Sequence, residues 1–359
     1  MRITPLVIKQ TNGSGRFYEQ SGCERSNFPT IVQEGNHPIK PTLLKIKEAY
    51  MPRRLYVQCR LFNVNDRLAT INLCDRIDRW IDMGLLVGME HTFLPIRDDP
   101  VNVANELEIF NNDIAAINEC SGLTGFFDGA TYDSGCSFEI GYAYTLGYPI
   151  NLVTTDFFKW TPSGSSNFFY CSQLLNTVAT LAAVPDMNPS ISDYRQKNLE
   201  QLERVFSILQ NNLVFDFGTI KPLKPRIEAL PIEYDYYLDP NFQYTEAGRY
   251  LQNQIVDAIE AANKTFVYGN NMGLILTDIE NLRKSGRGIF YSDVFEPDLD
   301  SGILQGIAYG IGRKPYTYAS NSKQYLEGAD WYGYLNCMIT YSAETIVTSI
   351  NELTGLIQS

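Results

Sequence analysis

The sequence predicts an α/β protein with a doubly wound parallel sheet, formed twice in tandem, and three observations carry that prediction. From Leu55 onward, short apolar runs alternate with helical patterns, as in a parallel sheet covered by helices on both faces. The 359 residues suit two domains at roughly 100–200 residues each. Finally, the segment DIAAINECSGLTGFFDGATYDSGCSFEIGYAYTLGYPI, beginning at Asp113, is echoed by DIENLRKSGRGIFYSDVFEPDLDSGILQGIAYGIGRKPY, beginning at Asp278.

The elements follow in order. Residues 1–54 are polar and rich in turn signals (TNGSG, SGCERSN, EGNHPIKP), which reads as an N-terminal cap or extension. LYVQC, from Leu55, is a short apolar strand; NVNDR opens a helix to about Met83, and LLVGMEHTFLP returns as an extended segment. ANELEIFNNDIAAINEC is a helix carrying Asp113. LTGFFDG is a buried strand, ATYDSGCS a turn, FEIGYAYTLG a helix and PINLVTT a strand. An amphipathic helix at 191–212 is long enough to link two domains, a first unit at 55–190 and a second at 213–359. The second unit repeats helix, strand, Asp-Ser-Gly turn (Asp300 to Gly302), helix and Pro-led strand. The copies are not equivalent, because Glu139 follows Asp133 by six residues whereas the second copy has Leu304 and Gln305 there.

Composition narrows the function classes. With 29 Lys plus Arg against 41 Asp plus Glu, the net charge of −12 opposes a phosphate backbone, and no basic stripe offsets it. A nucleic-acid polymer is therefore not an expected partner. Seven cysteines without a CxxC pair suggest neither a disulfide framework nor a zinc site, and fit a reducing compartment. No run approaches the ~18 apolar residues of a membrane span, and the N-terminus does not read as a signal peptide, so a soluble cytoplasmic protein is expected. With only two histidines, His37 and His91, acid–base chemistry must rest on carboxylates.

Asp113, Asp128, Asp133 and Glu139 lie on successive elements whose functional ends meet beyond the carboxyl ends of the strands, where such sheets bind ligands. Gly135 permits a tight turn, and Glu139 projects from the first helical turn, where the macrodipole favours an anion. A carboxylate so placed is a candidate nucleophile toward a sugar carbon. The DxGxxxE spacing by itself is weak, because solvated helix-cap acids explain most such spacings.

These residues resemble those of the nucleoside 2-deoxyribosyltransferase family. LFNVNDR, NNDIAAINEC, FFDG and above all DSGCSFEIGYAYTLGYPI carry the resemblance over about residues 55–185, and DSGILQGIAYGIGRKP and YLNCMITYSAETIVTSINEL extend it into the second half. The resemblance implies a flavodoxin-like fold and exchange of bases on 2-deoxyribose, with no cofactor or metal. It implies that Glu139 attacks C1′ and holds a deoxyribosyl ester, while Asp113 and Asp133 contact base and sugar and help protonate the leaving base. Phe62 would stack on the base and Asp128 would contact it. In the family a neighbouring subunit completes the site with an Asn-x-Met segment, matched here by Asn336 and Met338. An intramolecular pseudo-dimer is thus implied, and a homo-oligomer of such units is compatible with it. Asn167 occupies the corresponding position of the first half, with Phe169 in place of the Met. Cys136 stands where the family usually has Thr. Arg60 replaces a small residue or Pro, either as a surface residue or to meet a 5′-phosphate. The expected ligands are small nucleosides and nucleobases. Three functions stay open: base transfer, hydrolysis of deoxynucleosides or deoxynucleotides, and non-catalytic nucleotide binding.

Overall fold

In the computed structural model the described residues are 53–60, 64–99, 105–127, 133–155, 173–180, 190–243, 245–269, 275–292, 299–320 and 335–359. Strand β1 (Leu55–Gln58) is buried along its whole length, and its side chains sort by face. Tyr56 joins one apolar cluster, while Leu55 and Val57 join another. β1 pairs in parallel with β2 (Gly122–Phe126), which pairs with β3 (Ile150–Thr154), and β3 with β4 (Thr177–Thr180). Between β1 and β2 lie helices α1 (Val64–Asp82) and α2 (Glu106–Glu119). On the free edge of β1, the expected extended segment makes only two isolated parallel bridges, Arg53 with Met89 and Tyr56 with Phe93.

The second sheet runs β6-β5-β7-β8-β9, all parallel, from β5 (Tyr234–Leu238), β6 (Phe266–Tyr268), β7 (Ser285–Tyr291), β8 (Tyr316–Tyr318) and β9 (Thr345–Val347). Numbered within that half, the order is 2-1-3-4-5, the flavodoxin-like one. The first sheet has the same order, with the bridge segment in place of the second strand. The registers also correspond, since Tyr56 lies opposite Leu123 and Tyr237 opposite Gly288. Common descent of the halves is the proposal that this shared order supports.

Helices cover both faces of each sheet. The helix expected at 191–212 runs further, as α4 (Ile191–Phe217), and it does more than connect. Val205, Phe206, Leu209, Leu213 and Phe217 pack with Leu55 and Val57, making α4 a layer on the outer face of the first sheet. On the outer face of the second sheet, α5 (Glu246–Ala261) and α9 (Ile350–Gln358) present Ile255, Ile259, Leu353 and Ile357 to Leu238 and Ile289.

The two inner faces share one continuous core. It takes in α2, α3 (Ser134–Thr145), α6 (Ile275–Arg283), α7 (Leu299–Gly310) and α8 (Cys337–Ser342). Helices α3 and α7 cross at backbone distance through glycines. A β-carbon on Gly141 would stand 1.9 Å from the Ile303 carbonyl oxygen, and one on Gly306 would stand 2.1 Å from that of Phe138. Both helices end at a glycine with φ 76°, Gly147 and Gly312. Their starts differ: Asp133 caps α3, whereas Asp300, expected in a turn, lies within the first turn of α7.

Candidate active site

The first half collects its carboxylates at the carboxyl edge of its sheet. Asp133 is the N-cap of α3 and accepts the Cys136 amide at 3.0 Å. Glu139 follows on the same helix, and Asp113 projects from α2. All three are buried, at 7%, 6% and 6% exposure, which a solvated cap would not be. Helix α3 is buried on nearly every side, so it lacks an amphipathic stripe and its acids have nowhere to solvate.

Tyr56, from the middle of β1, donates its hydroxyl to Glu139 Oε1 at 2.7 Å. Glu139 Oε2 and Asp113 Oδ1 are buried without a hydrogen-bond partner among the described residues. Burial, and then the charge of Asp113, hold the Glu139 carboxyl well above the usual carboxylate range, and the Tyr56 hydrogen bond pulls the other way. Burial and then the charge of Asp99 raise Asp113, and Tyr56 again opposes the shift. Two buried acids this strongly coupled do not both ionise readily, so the pair retains a proton to higher pH than either carboxyl would alone. Burial also raises Asp133, against the amides of Cys136 and Gly135 and the Arg60 guanidinium.

The second half reaches into this site. Asn336 caps α8 by accepting the Met338 amide at 2.9 Å, and donates Nδ2 to Asp133 Oδ1 at 3.3 Å. It lies against Gly135, where a β-carbon would come within 2.7 Å of both amide atoms, so that position needs glycine for the close approach. Met338 is buried in the shared core with Cys136 and Phe138. The structure therefore brings together Glu139, Asp113, Asp133, Gly135, Asn336 and Met338. Phe62, Asp128, Asn167 and Phe169 lie outside the described residues.

Arg60 pairs with Asp66 at 3.5 Å and is close enough to lower Asp133, so it stands beside the site. Three thiols are also near, and burial pushes Cys59 up to about 11, Cys337 up to about 12 and Cys136 well above its usual value. Burial thus holds all three as thiols at neutral pH.

Sequence reasoning missed Tyr56 and Asp99. Tyr56 sits in an unbroken apolar strand, where nothing separates a core tyrosine from one facing an acid. Burial raises Asp99 to about 6, and its influence on Asp113 depends on the turn Pro95–Asp98, which no spacing rule links to α2.

The equivalent place in the second half carries no glutamate. Tyr237 and Asp278 are kept and buried. By the bounds of α3 and α7 and their terminal glycines Gly147 and Gly312, Leu304 stands level with Glu139, and it is fully buried in the shared core. Gln305 instead donates to the Ile339 carbonyl at 2.9 Å and to Ser342 Oγ at 3.0 Å, tying α7 to α8.

Among the described residues, no helix is long and apolar enough to cross a membrane. Residues 75–182 match the family model described as nucleoside 2-deoxyribosyltransferase. No curated protein matches the chain. A crystal structure of a conserved protein from Enterococcus faecalis V583 is 20% identical, covering 42% of this chain and 98% of its own, at a TM-score of 0.30.

Proposed function

With residues 75–182 belonging to the nucleoside 2-deoxyribosyltransferase family, we propose that the protein transfers 2-deoxyribose between nucleobases through an ester on Glu139. The observation that carries this is the buried, coupled carboxyl pair of Glu139 and Asp113, with Tyr56 hydrogen-bonded to the former. Retaining glycosyl transfer needs one carboxylate to attack and a second group to move a proton.

In the first step the Glu139 carboxylate attacks C1′ and the C1′–N bond breaks. Its electron pair goes to the departing base, which takes the proton held by Asp113. A second base then attacks C1′, the ester bond to Glu139 breaks, and the proton returns to Asp113. The transition state is oxocarbenium-like, and the lack of a 2′-hydroxyl makes C1′ easier to ionise. Asp133 and Asn336, joined to one another, face the sugar, so the half without a nucleophile completes the site.

Incubation with deoxyinosine and adenine tests this reading. Deoxyadenosine is the expected product, and a deoxyribosyl adduct on the Glu139 peptide is expected by mass spectrometry after acid quench. Free base with free deoxyribose would assign hydrolysis instead. No turnover at all would remove the catalytic reading in favour of a binding module.

A further inference from the structure

A cavity of about 570 Å³ opens away from the Glu139 site, at the amino ends of the second sheet's strands. Three cations line it, Arg287, Arg313 and Lys314, against one carboxylate, Glu344. In a chain of net charge −12, such a local cationic excess is not background.

Each cation has a defined setting. Arg287 pairs with Glu344 at 2.8 Å and lies 4.2 Å from the centroid of the Tyr316 ring, which fixes it and neutralises the one acid among the described lining residues. Arg313 is oriented by donating one terminal nitrogen to the Leu230 carbonyl at 3.2 Å. Its Nε is buried without a hydrogen-bond partner among the described residues. A buried guanidinium N–H in that state is costly unless an acceptor arrives, and Arg binds phosphate well through two nitrogens. Lys314 is exposed and adds a point charge beside it. The remaining wall is the backbone of Gly286, Gly310 and Gly312 together with Tyr142 and Tyr309, whose rings lie 5.6 Å apart at 60°.

The volume exceeds what orthophosphate fills and falls in the range of small-molecule sites, roughly 300–1,000 Å³. We propose that this cavity binds a phosphate monoester carrying a flat aromatic group, its phosphate on Arg313 and Lys314 and its ring against Tyr142 and Tyr309. This site is separate from Glu139 and does not depend on the reaction assigned there.

Calorimetric titration at low salt with adenosine monophosphate, ribose 5-phosphate and inorganic phosphate tests it without turnover. Adenosine monophosphate is expected to saturate one site, with the two ring-free phosphates weaker by at least about tenfold, since losing a ring contact of ~1.4 kcal/mol gives that factor. The Arg313→Gln/Lys314→Gln protein should lose at least about tenfold in affinity. If it binds as tightly as the wild type, or if the nucleotide never saturates, the proposal fails. Should the double variant not fold, Lys314→Glu at an exposed position decides, with weaker binding supporting the site and unchanged binding overturning it.

Discussion

Replacing Tyr56 by Phe removes one oxygen and keeps the ring, which stacks on Phe93 at 5.7 Å and 15°. What is lost is the 2.7 Å hydrogen bond to Glu139 Oε1, leaving both carboxyl oxygens of a buried acid without a donor. A hydrogen bond to a charged group contributes about 1.5–3 kcal/mol, and one pKa unit corresponds to about 1.4 kcal/mol. Since Tyr56 favours the ionised form of Glu139, its removal should push that carboxyl further up. If Glu139 attacks as a carboxylate, the acid limb of the kcat/KM profile moves to higher pH by the same amount. Below that limb, activity falls about 10–100-fold. The assay is base exchange from deoxyinosine to adenine across pH 5–9, with a thermal melt to confirm folding. A Tyr56→Phe profile that superimposes on the wild type would show that Tyr56 does not control Glu139, and the site argument would lose its support.

Other outcomes follow from the same geometry. Glu139 titrates above the usual range when folded, so its contribution to stability is complete below its unfolded pKa of about 4.3 and is lost as pH rises through the folded value. Wild-type Tm should therefore fall between pH 5 and 9, and Glu139→Gln should flatten the curve while abolishing exchange; an equally steep curve for the variant contradicts the pKa argument. Asn336→Ala removes the cap of α8, costing about 1 kcal/mol, together with the contact to Asp133, and kcat/KM should drop at least about tenfold. Unchanged kcat/KM there would sink the idea of a shared site. Gly141→Ala would gain about 1 kcal/mol by helix propensity alone, yet its β-carbon meets the Ile303 backbone at 1.9 Å. Net destabilisation of about 1–3 kcal/mol is expected in urea unfolding, and a stabilised variant would mean that the α3–α7 crossing is not this tight.

Much of the fold was legible because its signals are local. Strand–helix alternation fixed the parallel class, and the echo of Asp113 at Asp278 anticipated two sheets with one strand order. The bridge stub beside β1 was overestimated, as positive-φ glycines at 84 and 88 interrupt the segment that would extend there. The reach of α4 to Phe217 was underestimated, since its last turns are specified by Leu55 and Val57, far away in sequence. At the site, the Asp133–Glu139 spacing marked the acids, but only packing showed that they are buried and coupled.

The sequence by itself determined which residue types are present and their order: carboxylates in place of histidines, one complete acidic set, and an Asn-x-Met segment in the other half. The tertiary structure decided what those residues are worth. It placed Tyr56 on Glu139 and Asn336 on Asp133, partners 83 and 203 positions apart. It packed Leu304, level with Glu139 in the second half, into the core that the two halves share. It also gathered Arg287, Arg313 and Lys314 into a cationic cavity in a chain whose net charge argues against phosphate. The reason is the same throughout: composition sums charge over the whole chain, whereas desolvation and Coulomb energies act over a few ångströms, and folding alone sets those distances.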